Sequence, residues 1–209
     1  FSIRNDEIYF RACISLLGKL YEPEDSINVV DSLIDWNFEL TPPQKEISTQ
    51  LVQYGLVSNC LVEAVCGAGK TEIVLELVSH ALKLGKKVGW MVARRQVVLQ
   101  LHERLSSLFK EMKVIAVTGG YTSELAGDLV VLTAHQLYRY PHYFDLLIID
   151  EPDAFPYKGS ELLAGLCEVS CIGTRVYLTA TPDKELLSLV DIHLKLDSRP
   201  HGRPLVVPT

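Results

Sequence analysis

Ala64-Val-Cys-Gly-Ala-Gly-Lys-Thr71 is a glycine-rich stretch between two apolar segments of different periodicity. Residues 60–65, which run into it, are short and apolar, as in a buried strand. Residues 72–82, which follow it, carry apolar side chains at helical spacing. The stretch therefore predicts a tight turn from a strand into a helix.

The residue types in this turn are typical of a phosphate-binding loop. Gly67 and Gly69 allow backbone conformations that are closed to other residues, so the loop N–H groups, including that of Ala68, can turn toward an anion. The N-terminus of the following helix adds a partial positive charge. Lys70 would contact the β- and γ-phosphates, and Thr71 would offer a hydroxyl to magnesium. We therefore expect these five residues to bind ATP with Mg²⁺.

The composition indicates a folded chain without a membrane span. The 209 residues are 48% hydrophobic, which is enough for a sizeable core, and the longest apolar runs are far shorter than the roughly 20 residues of a spanning helix. The net charge of -6 argues against nucleic-acid binding by bulk charge, so any such binding must be local. The odd cysteine count, five, without a paired C-x-x-C set, favours a reducing cytoplasm.

The chain divides into three parts. Residues 1–37 mix short apolar stretches with charges and are interpreted as an N-terminal appendage. Residues 38–197 form the main domain, and the Pro-rich residues 198–209 predict an extended linker toward a further domain. Because the chain begins at Phe1 and not at a methionine, we expect it to be a fragment.

From residue 60 onward, apolar strands alternate with amphipathic helices. This alternation predicts an α/β fold with a mostly parallel sheet and helices on both faces. The loops that follow parallel strands lie along one edge, where ligands of open α/β sheets bind. Strands are expected near residues 60–65, 87–93, 113–117, 129–133, 145–150, 175–180 and 192–196, and helices near 70–84, 95–109, 159–168 and 183–190, after a first helix that Thr41 caps.

Two further motifs follow strands of this pattern. Asp150 and Glu151 come directly after an apolar run, where Asp150 would hold magnesium and Glu151 would orient or deprotonate the attacking water. Two acids that merely end a strand in solvent would look the same, but the phosphate loop upstream favours the functional interpretation. Thr179-Ala180-Thr181 ends the next strong strand, and its hydroxyls could bond the acidic cluster.

The three motifs AVCGAGKT, DEPD and TAT, in this order, resemble motifs I, II and III of superfamily 2 helicases and translocases. The resemblance covers roughly residues 40–197 and implies a RecA-like P-loop NTPase domain, with residues 179–181 coupling phosphate state to motion. Ala64 replaces the first glycine of the loop, which the helicase version tolerates. Gln44, which ends LTPPQ, is similar to the glutamine that reads adenine, although an ordinary capped helix start would also explain it.

The resemblance also implies contacts with a nucleic-acid strand. Residues 93–104 are similar to motif Ia, with two arginines at a helix start where backbone amides and guanidinium groups can meet a phosphate. A glycine pair and a Thr-Ala-His-Gln stretch occupy the places of the other strand-contacting motifs, although each alone could be a turn or a solvated face. The residues expected to contact the strand are Arg94, Arg95, Gly119, Gly120, Thr133 and Gln136.

AVCGAGKTE, DEPDAFPY and RPHGRPLVVP more closely resemble the ComFA family of late-competence DNA-uptake translocases, which is similar to the primosomal helicase PriA. That resemblance implies a cytoplasmic ATP-driven motor that draws transforming single-stranded DNA into bacteria with other competence proteins. The resemblance leaves open whether the protein forms an oligomer and whether it lies peripherally at the inner face of the cell membrane. The zinc module of the family is not carried over, because Phe10 replaces an expected cysteine and the first cysteine pair is absent, even though Cys13 remains.

Two other functions fit parts of the pattern. A DEAD-box RNA helicase would share Asp153 as the fourth residue of motif II, but its third residue would be alanine and not Pro152. A non-motor switch that binds ATP and regulates a partner would need only the nucleotide site. The second RecA-like half of a motor would supply an arginine finger worth about 10³–10⁵ in rate, so we expect this chain alone to bind nucleotide but to hydrolyse it poorly.

Overall fold

The computed structural model describes residues 39–65, 67–121, 123–153 and 159–196, together with the backbone of two short strands near the N-terminus. These two strands, β1 (Ser2–Arg4) and β2 (Glu7–Tyr9), pair antiparallel. The remainder of the expected appendage, including Cys13, and the expected linker at 198–209 lie outside the described residues.

The centre of the main domain is a seven-stranded sheet in which every pairing is parallel. Its spatial order is β5-β6-β4-β7-β8-β3-β9. The strands are β3 (Cys60–Ala64), β4 (Val88–Val92), β5 (Val114–Val117), β6 (Leu129–Thr133), β7 (Phe144–Asp150), β8 (Cys171–Thr179) and β9 (Ile192–Leu196).

Helices cover both faces of this sheet, as the alternating pattern predicts. Three long helices pack on one face, and two helices and a 3₁₀ helix pack on the other. The first face carries α1 (Pro42–Tyr54), α2 (Lys70–Lys83) and α3 (Arg95–Leu108). The second face carries the 3₁₀ helix (Ala134–Arg139), α4 (Glu161–Ser170) and α5 (Lys184–Ser188).

The central strands are buried on both faces, which explains why their sequences are continuously apolar. All five residues of β4 are buried, and Trp90 and Met91 point to opposite faces of the sheet, into the two separate cores. β6 and β7 are buried along almost their whole length for the same reason. Such runs keep the register fixed, because polar residues are confined to the strand ends.

The predicted strands and helices are present close to the expected positions. β8 begins at Cys171, four residues earlier than its most apolar part suggests, because Gly173 and Thr174 interrupt the apolar run in the sequence. The 3₁₀ helix was not predicted as a helix. It has only two turns, and its two buried apolar residues, Ala134 and Leu137, are too few to show a helical periodicity.

The loops at the carboxyl ends of the strands fall into two neighbouring groups. The loops after β7, β8 and β3 are adjacent in the sheet, and their described residues are 150–153, 179–181, 65 and 67–70. We call them the phosphate-loop half. The loops after β5, β6 and β4 are also adjacent and carry residues 118–121, 133–136 and 93–95. We call them the arginine half.

Candidate nucleotide and nucleic-acid site

The phosphate loop has the backbone geometry that its glycines predict. Gly67 and Gly69 have φ angles of 77° and 76°, in the left-handed region that other residues adopt only at a cost. The N–H of Ala68 donates to the Val65 carbonyl at 3.0 Å, which closes the loop, so this N–H is bonded within the chain and is not turned toward an anion as the sequence predicts. α2 begins at Lys70, so the free N–H groups of its first turn face the loop.

Gln44 holds this loop from α1. Its side-chain oxygen accepts hydrogen bonds from the backbone N–H and the hydroxyl of Thr41, both at 2.9 Å. Its Nε2 donates to the Ala68 carbonyl at 2.8 Å, and the side chain is buried. The amide thus connects the start of α1 with the phosphate loop, and it has one N–H left to offer an adenine.

Asp150 ends β7 beside Lys70, and its environment favours the protonated form more than water does. Burial raises the pKa of its carboxyl from 3.8 to about 6, Lys70 opposes that rise, and Glu151 adds to it. The indole of Trp90 lies beside it and lowers its pKa, although the indole N–H makes no hydrogen bond of normal geometry to a described residue. At neutral pH the carboxyl is still ionised, as a magnesium ligand must be.

Glu151 occupies a strained backbone position. Its φ of 55° is in the left-handed region, which non-glycine residues seldom adopt. Its N–H donates to the Leu178 carbonyl at 2.9 Å, and this bond to β8 holds the conformation. The side chain is exposed next to Asp150. Strain of this kind concentrates at functional positions, which supports the role expected for this carboxylate.

Asp153 connects the acidic loop with the loop after β8. The hydroxyls of Thr179 and Thr181 each donate to its carboxylate at 2.7 Å, and the Thr181 N–H donates to the Thr179 hydroxyl at 3.0 Å. Burial raises the pKa of Asp153, but these hydrogen bonds outweigh it and the net pKa lies below the ordinary value. Ala180 lies between the two threonines and is partly buried.

Asp153 was missed among the candidate site residues. The sequence did predict that the threonine hydroxyls could meet the acidic cluster, but it did not identify which carboxylate receives them. The available signal is the position of Asp153 as the fourth residue of the DEPD motif, three residues after Asp150.

In the arginine half, Arg94 and Arg95 are exposed at the start of α3, with Arg94 as the N-cap residue. Gly119 and Gly120 lie in the turn after β5, and both are exposed. The Arg95 guanidinium lies over the ring of Tyr121, 5.4 Å from its centroid. The two predicted motifs are therefore in contact, through an aromatic residue that was not among the candidates.

The Thr133–Gln136 stretch lies between these two loops, because β6 separates β5 from β4. Thr133 is partly buried at the end of β6. The Gln136 side-chain oxygen accepts a hydrogen bond from Arg139 Nε at 2.7 Å, and Arg139 is buried. This contact leaves the Gln136 NH₂ group as the donor available to a ligand. Arg139 lies three residues after Gln136 in the same short 3₁₀ helix, and nothing in the sequence marked it as a site residue.

The residues of the phosphate-loop half fit a magnesium nucleotide. The evidence is the pair of left-handed glycines, an ammonium close to a carboxylate that is ionised at neutral pH, and a hydroxyl, from Thr71, in the first turn of α2. Hydroxyl and carboxylate oxygens are the ligands that Mg²⁺ prefers. Among the described residues no cluster of three or more histidine, cysteine or acidic side chains could hold another metal ion.

Together, the parallel sheet, the phosphate loop and the acidic motif define a RecA-like P-loop domain of the helicase type. The family model described as type III restriction enzyme, res subunit, matches residues 37–184. The chain belongs to this family, and within it the chain is ComFA-like.

Two relatives support the second statement. The competence protein ComFA of Streptococcus pneumoniae is 36% identical over 195 residues, which are 90% of this chain and 45% of the relative. The competence protein ComFA of Bacillus subtilis is 32% identical over 219 residues, which are 97% of this chain and 47% of the relative. The chain thus spans less than half the length of these two relatives.

A solved structure supports the fold. A hypothetical ATP-dependent RNA helicase from Sulfolobus tokodaii matches with a TM-score of 0.62 and 21% identity, over 77% of this chain and 54% of that one. At this identity the likeness concerns the fold alone. Within the described part of the chain, every helix is too short or too polar to cross a membrane.

The geometry predicts that Gly69→Ala is more damaging than Gly67→Ala. Both substitutions place a side chain at a left-handed φ, but a Cβ at Gly69 would lie 2.5 Å from Gln44 Nε2, whereas a Cβ at Gly67 meets no atom within 4 Å. We expect Gly69→Ala to lower the free energy of unfolding by about 1 kcal/mol more, the typical value of a lost hydrogen bond, and to weaken Mg-ATP binding. Denaturant unfolding and nucleotide titration measure both effects.

In a Gln44→Ala background this extra cost should disappear, because the clash and the hydrogen bond are both absent. Equal costs of the two glycine substitutions in the parent chain would contradict the tight contact between Gln44 and the loop.

The Asp150 carboxyl predicts a specific pH dependence of stability in the metal-free and nucleotide-free chain. Its pKa rises from 3.8 unfolded to about 6 folded, so the folded state binds more protons in this range. The free energy of unfolding should therefore fall as pH rises from 3.8 to 6, by at most about 1.4 kcal/mol per pH unit. Asp150→Asn should remove this slope and be more stable than the parent above pH 6.

Denaturant unfolding at several pH values checks this prediction, with the exposed Glu103→Gln as a control for loss of one negative charge. Asp153 acts in the opposite direction, but below its ordinary pKa of 3.8 and so outside this window. An unchanged slope in Asp150→Asn would exclude Asp150 as its source.

Proposed function

We propose that this chain is the ATP-binding half of a motor that moves along single-stranded DNA. The observation that carries the proposal is the division of one sheet edge into two adjacent halves. One half has the phosphate loop, with Lys70 beside Asp150, and the other has exposed arginines and glycine turns. A motor needs a nucleotide site and a strand contact on the same rigid domain, and this edge offers both.

In the phosphate-loop half, Lys70 would bind the β- and γ-phosphates, and Gln44 would donate to the adenine. Thr71 and Asp150 would hold magnesium, which when bound neutralises charge on the phosphate oxygens. Glu151 would orient the attacking water and accept its proton, since its carboxylate is exposed beside the metal ligand.

Residues 179–181 would couple the nucleotide to movement. Asp153 is the only one of the three motif-II carboxylates that accepts hydrogen bonds from Thr179 and Thr181 in the described part of the chain. A change of position in the acidic loop after phosphate release would therefore act directly on the loop after β8.

In the arginine half, six residues would contact the backbone of the strand. Their guanidinium groups, amides and hydroxyls are donors, as phosphate contacts require, and none of them reads a base edge. Because the chain has a net charge of -6, binding should be weak, salt-sensitive and indifferent to sequence. The six residues proposed to contact the strand are Arg94, Arg95, Gly119, Gly120, Thr133 and Gln136.

The names of the two bacterial relatives support a role in competence, namely the uptake of transforming single-stranded DNA with other competence proteins. In this proposal residues 38–197 form the first RecA-like domain and residues 198–209 lead toward a second one. That second domain would supply the arginine that stabilises transition-state charge. Cys13 is not proposed as a zinc ligand, since its expected partner position is Phe10.

The proposal predicts an ATPase of the complete protein that single-stranded DNA stimulates. Lys70→Ala should abolish nucleotide binding or hydrolysis with the fold intact, because the charge is lost while the backbone turn remains. Glu151→Gln should keep Mg-ATP binding but stop turnover, because an amide cannot accept the proton. Steady-state turnover and nucleotide titration distinguish the two, with the exposed Glu161→Gln as a control that should behave as the parent.

Stimulation by RNA instead of DNA would assign the chain to an RNA helicase. Turnover that is indifferent to both would favour a regulatory ATP switch. Normal turnover in Glu151→Gln would contradict the role of this carboxylate.

The strand contact predicts a change in salt dependence. Each phosphate neutralised on a single strand contributes about −0.7 to the slope of log affinity against log salt. The loss of Arg94 or Arg95 should reduce the magnitude of the slope by about that amount without changing base preference. Titration of a labelled oligonucleotide at several salt concentrations measures the slope.

Lys83→Ala is the matched control, since Lys83 ends α2 at the opposite edge of the sheet. If the Arg94→Ala, Arg95→Ala double variant kept the parent slope and affinity, the strand would have to run along another surface.

A further inference from the structure

Tyr121 lies in a tight and well-fixed turn at the end of β5. The Tyr121 N–H donates to the Thr118 carbonyl at 2.8 Å, and the Thr118 N–H donates to the Tyr121 carbonyl at 3.1 Å. Gly120, between them, has a φ of 84° that the turn requires. Two reciprocal hydrogen bonds thus fix the backbone that carries the ring.

The ring is exposed although it is large and mainly apolar. Tyr121 keeps 47% of its surface accessible, whereas Tyr140, Tyr143 and Tyr177 are buried in the core of the second face. The exposed ring at a fixed turn therefore has area available for a ligand.

Arg95 covers part of this ring. Its guanidinium carbon is 5.4 Å from the ring centroid, which is within the range of a cation–π contact. One guanidinium nitrogen lies 3.5 Å from the position that a Cβ would take on Gly120, so the arginine also packs against the turn. The contact holds a positive charge next to an exposed aromatic surface.

The pair of Arg95 and Tyr121 has the chemistry needed to bind one nucleotide of a strand. A guanidinium binds a phosphate, and an aromatic face accepts a base by stacking, which is tolerant of sequence because every base has a π-face. The pair of Arg95 and Tyr121 lies in the arginine half, where Thr133 ends the neighbouring strand β6 and Gln136 lies in the 3₁₀ helix that follows it. A duplex keeps its bases stacked on one another, so only an unpaired base can reach such a ring.

We propose that Tyr121 is a stacking site for an unpaired base of the bound strand, with Arg95 at the adjacent phosphate. This inference rests on the proposed function, in which the arginine half binds single-stranded DNA. It adds a base contact to an interface that otherwise consists of backbone contacts, and it explains why single strands would be preferred over duplex.

The test compares two labelled oligonucleotides of equal length and charge. One is oligo(dT), and the other has the same phosphodiester backbone with abasic sites in place of the thymidines. The parent chain should bind oligo(dT) more tightly, and Tyr121→Ala should weaken that binding by about 5- to 150-fold, the typical effect of losing a stacked base. Binding of the abasic strand should not change in Tyr121→Ala.

Three further variants separate stacking from other effects. Tyr121→Phe keeps the ring and should bind oligo(dT) as the parent does. This variant remains available as a test if Tyr121→Ala fails to fold. Leu84→Ala removes a large exposed apolar side chain at the opposite edge and should have no effect. Arg95→Ala should weaken both oligonucleotides and reduce the salt slope by about 0.7, whereas Tyr121→Ala should leave the slope unchanged.

The outcomes distinguish this inference from the function on which it rests. If Tyr121→Ala binds oligo(dT) as tightly as the parent does, stacking at Tyr121 is wrong. A reduced salt slope in Arg95→Ala would in that case still support strand binding. If Tyr121→Phe binds as weakly as Tyr121→Ala, the hydroxyl and not the ring makes the contact, and stacking is again wrong. If the parent binds neither strand, both the stacking site and the proposed function are overturned.

Discussion

Parallel hydrogen bonding across all seven strands is the constraint on which this domain depends. Parallel strands must each be followed by a crossover, so every loop that leaves a strand leaves at the same edge. Residues that are far apart in the chain, such as Lys70 and Asp150, are brought together in this way. The burial of β4, β6 and β7 along almost their whole length fixes the centre of the sheet, and in these three strands the polar residues lie near the ends.

The acidic loop after β7 shows how this edge places two like carboxylates in different environments. Asp150 is held by burial at a pKa of about 6, whereas hydrogen bonds from two threonines hold the pKa of Asp153 below its ordinary value. The first group lies beside Lys70, and the second is bonded to the loop after β8. One short loop can therefore provide both a ligand for a cation and a fixed link to a neighbouring strand.

The sequence predicted the strands, the helices and the phosphate loop, because apolar periodicity and glycine spacing are local signals. It did not predict the strand order, which depends on the packing of the whole sheet and which divides the edge into two halves. For the same reason Asp153 and Tyr121 were missed, since their partners, Thr179 and Arg95, follow other strands of the sheet. Their contacts are made by side chains, through pairings that no local pattern encodes.

The two halves of the edge are also connected behind the sheet. α2 begins at Lys70 and α3 begins at Arg95, and between these helices Glu72 pairs with Arg104. Glu72 lies in the first turn of α2, so this ion pair is close to the phosphate loop. A displacement of the loop would act on α3 through this contact, and thus on the arginine that lies over Tyr121. Glu72 and Arg104 therefore join the helix that begins at the phosphate loop to the helix that begins at Arg95, and a motor of the proposed kind would need such a link between its two sites.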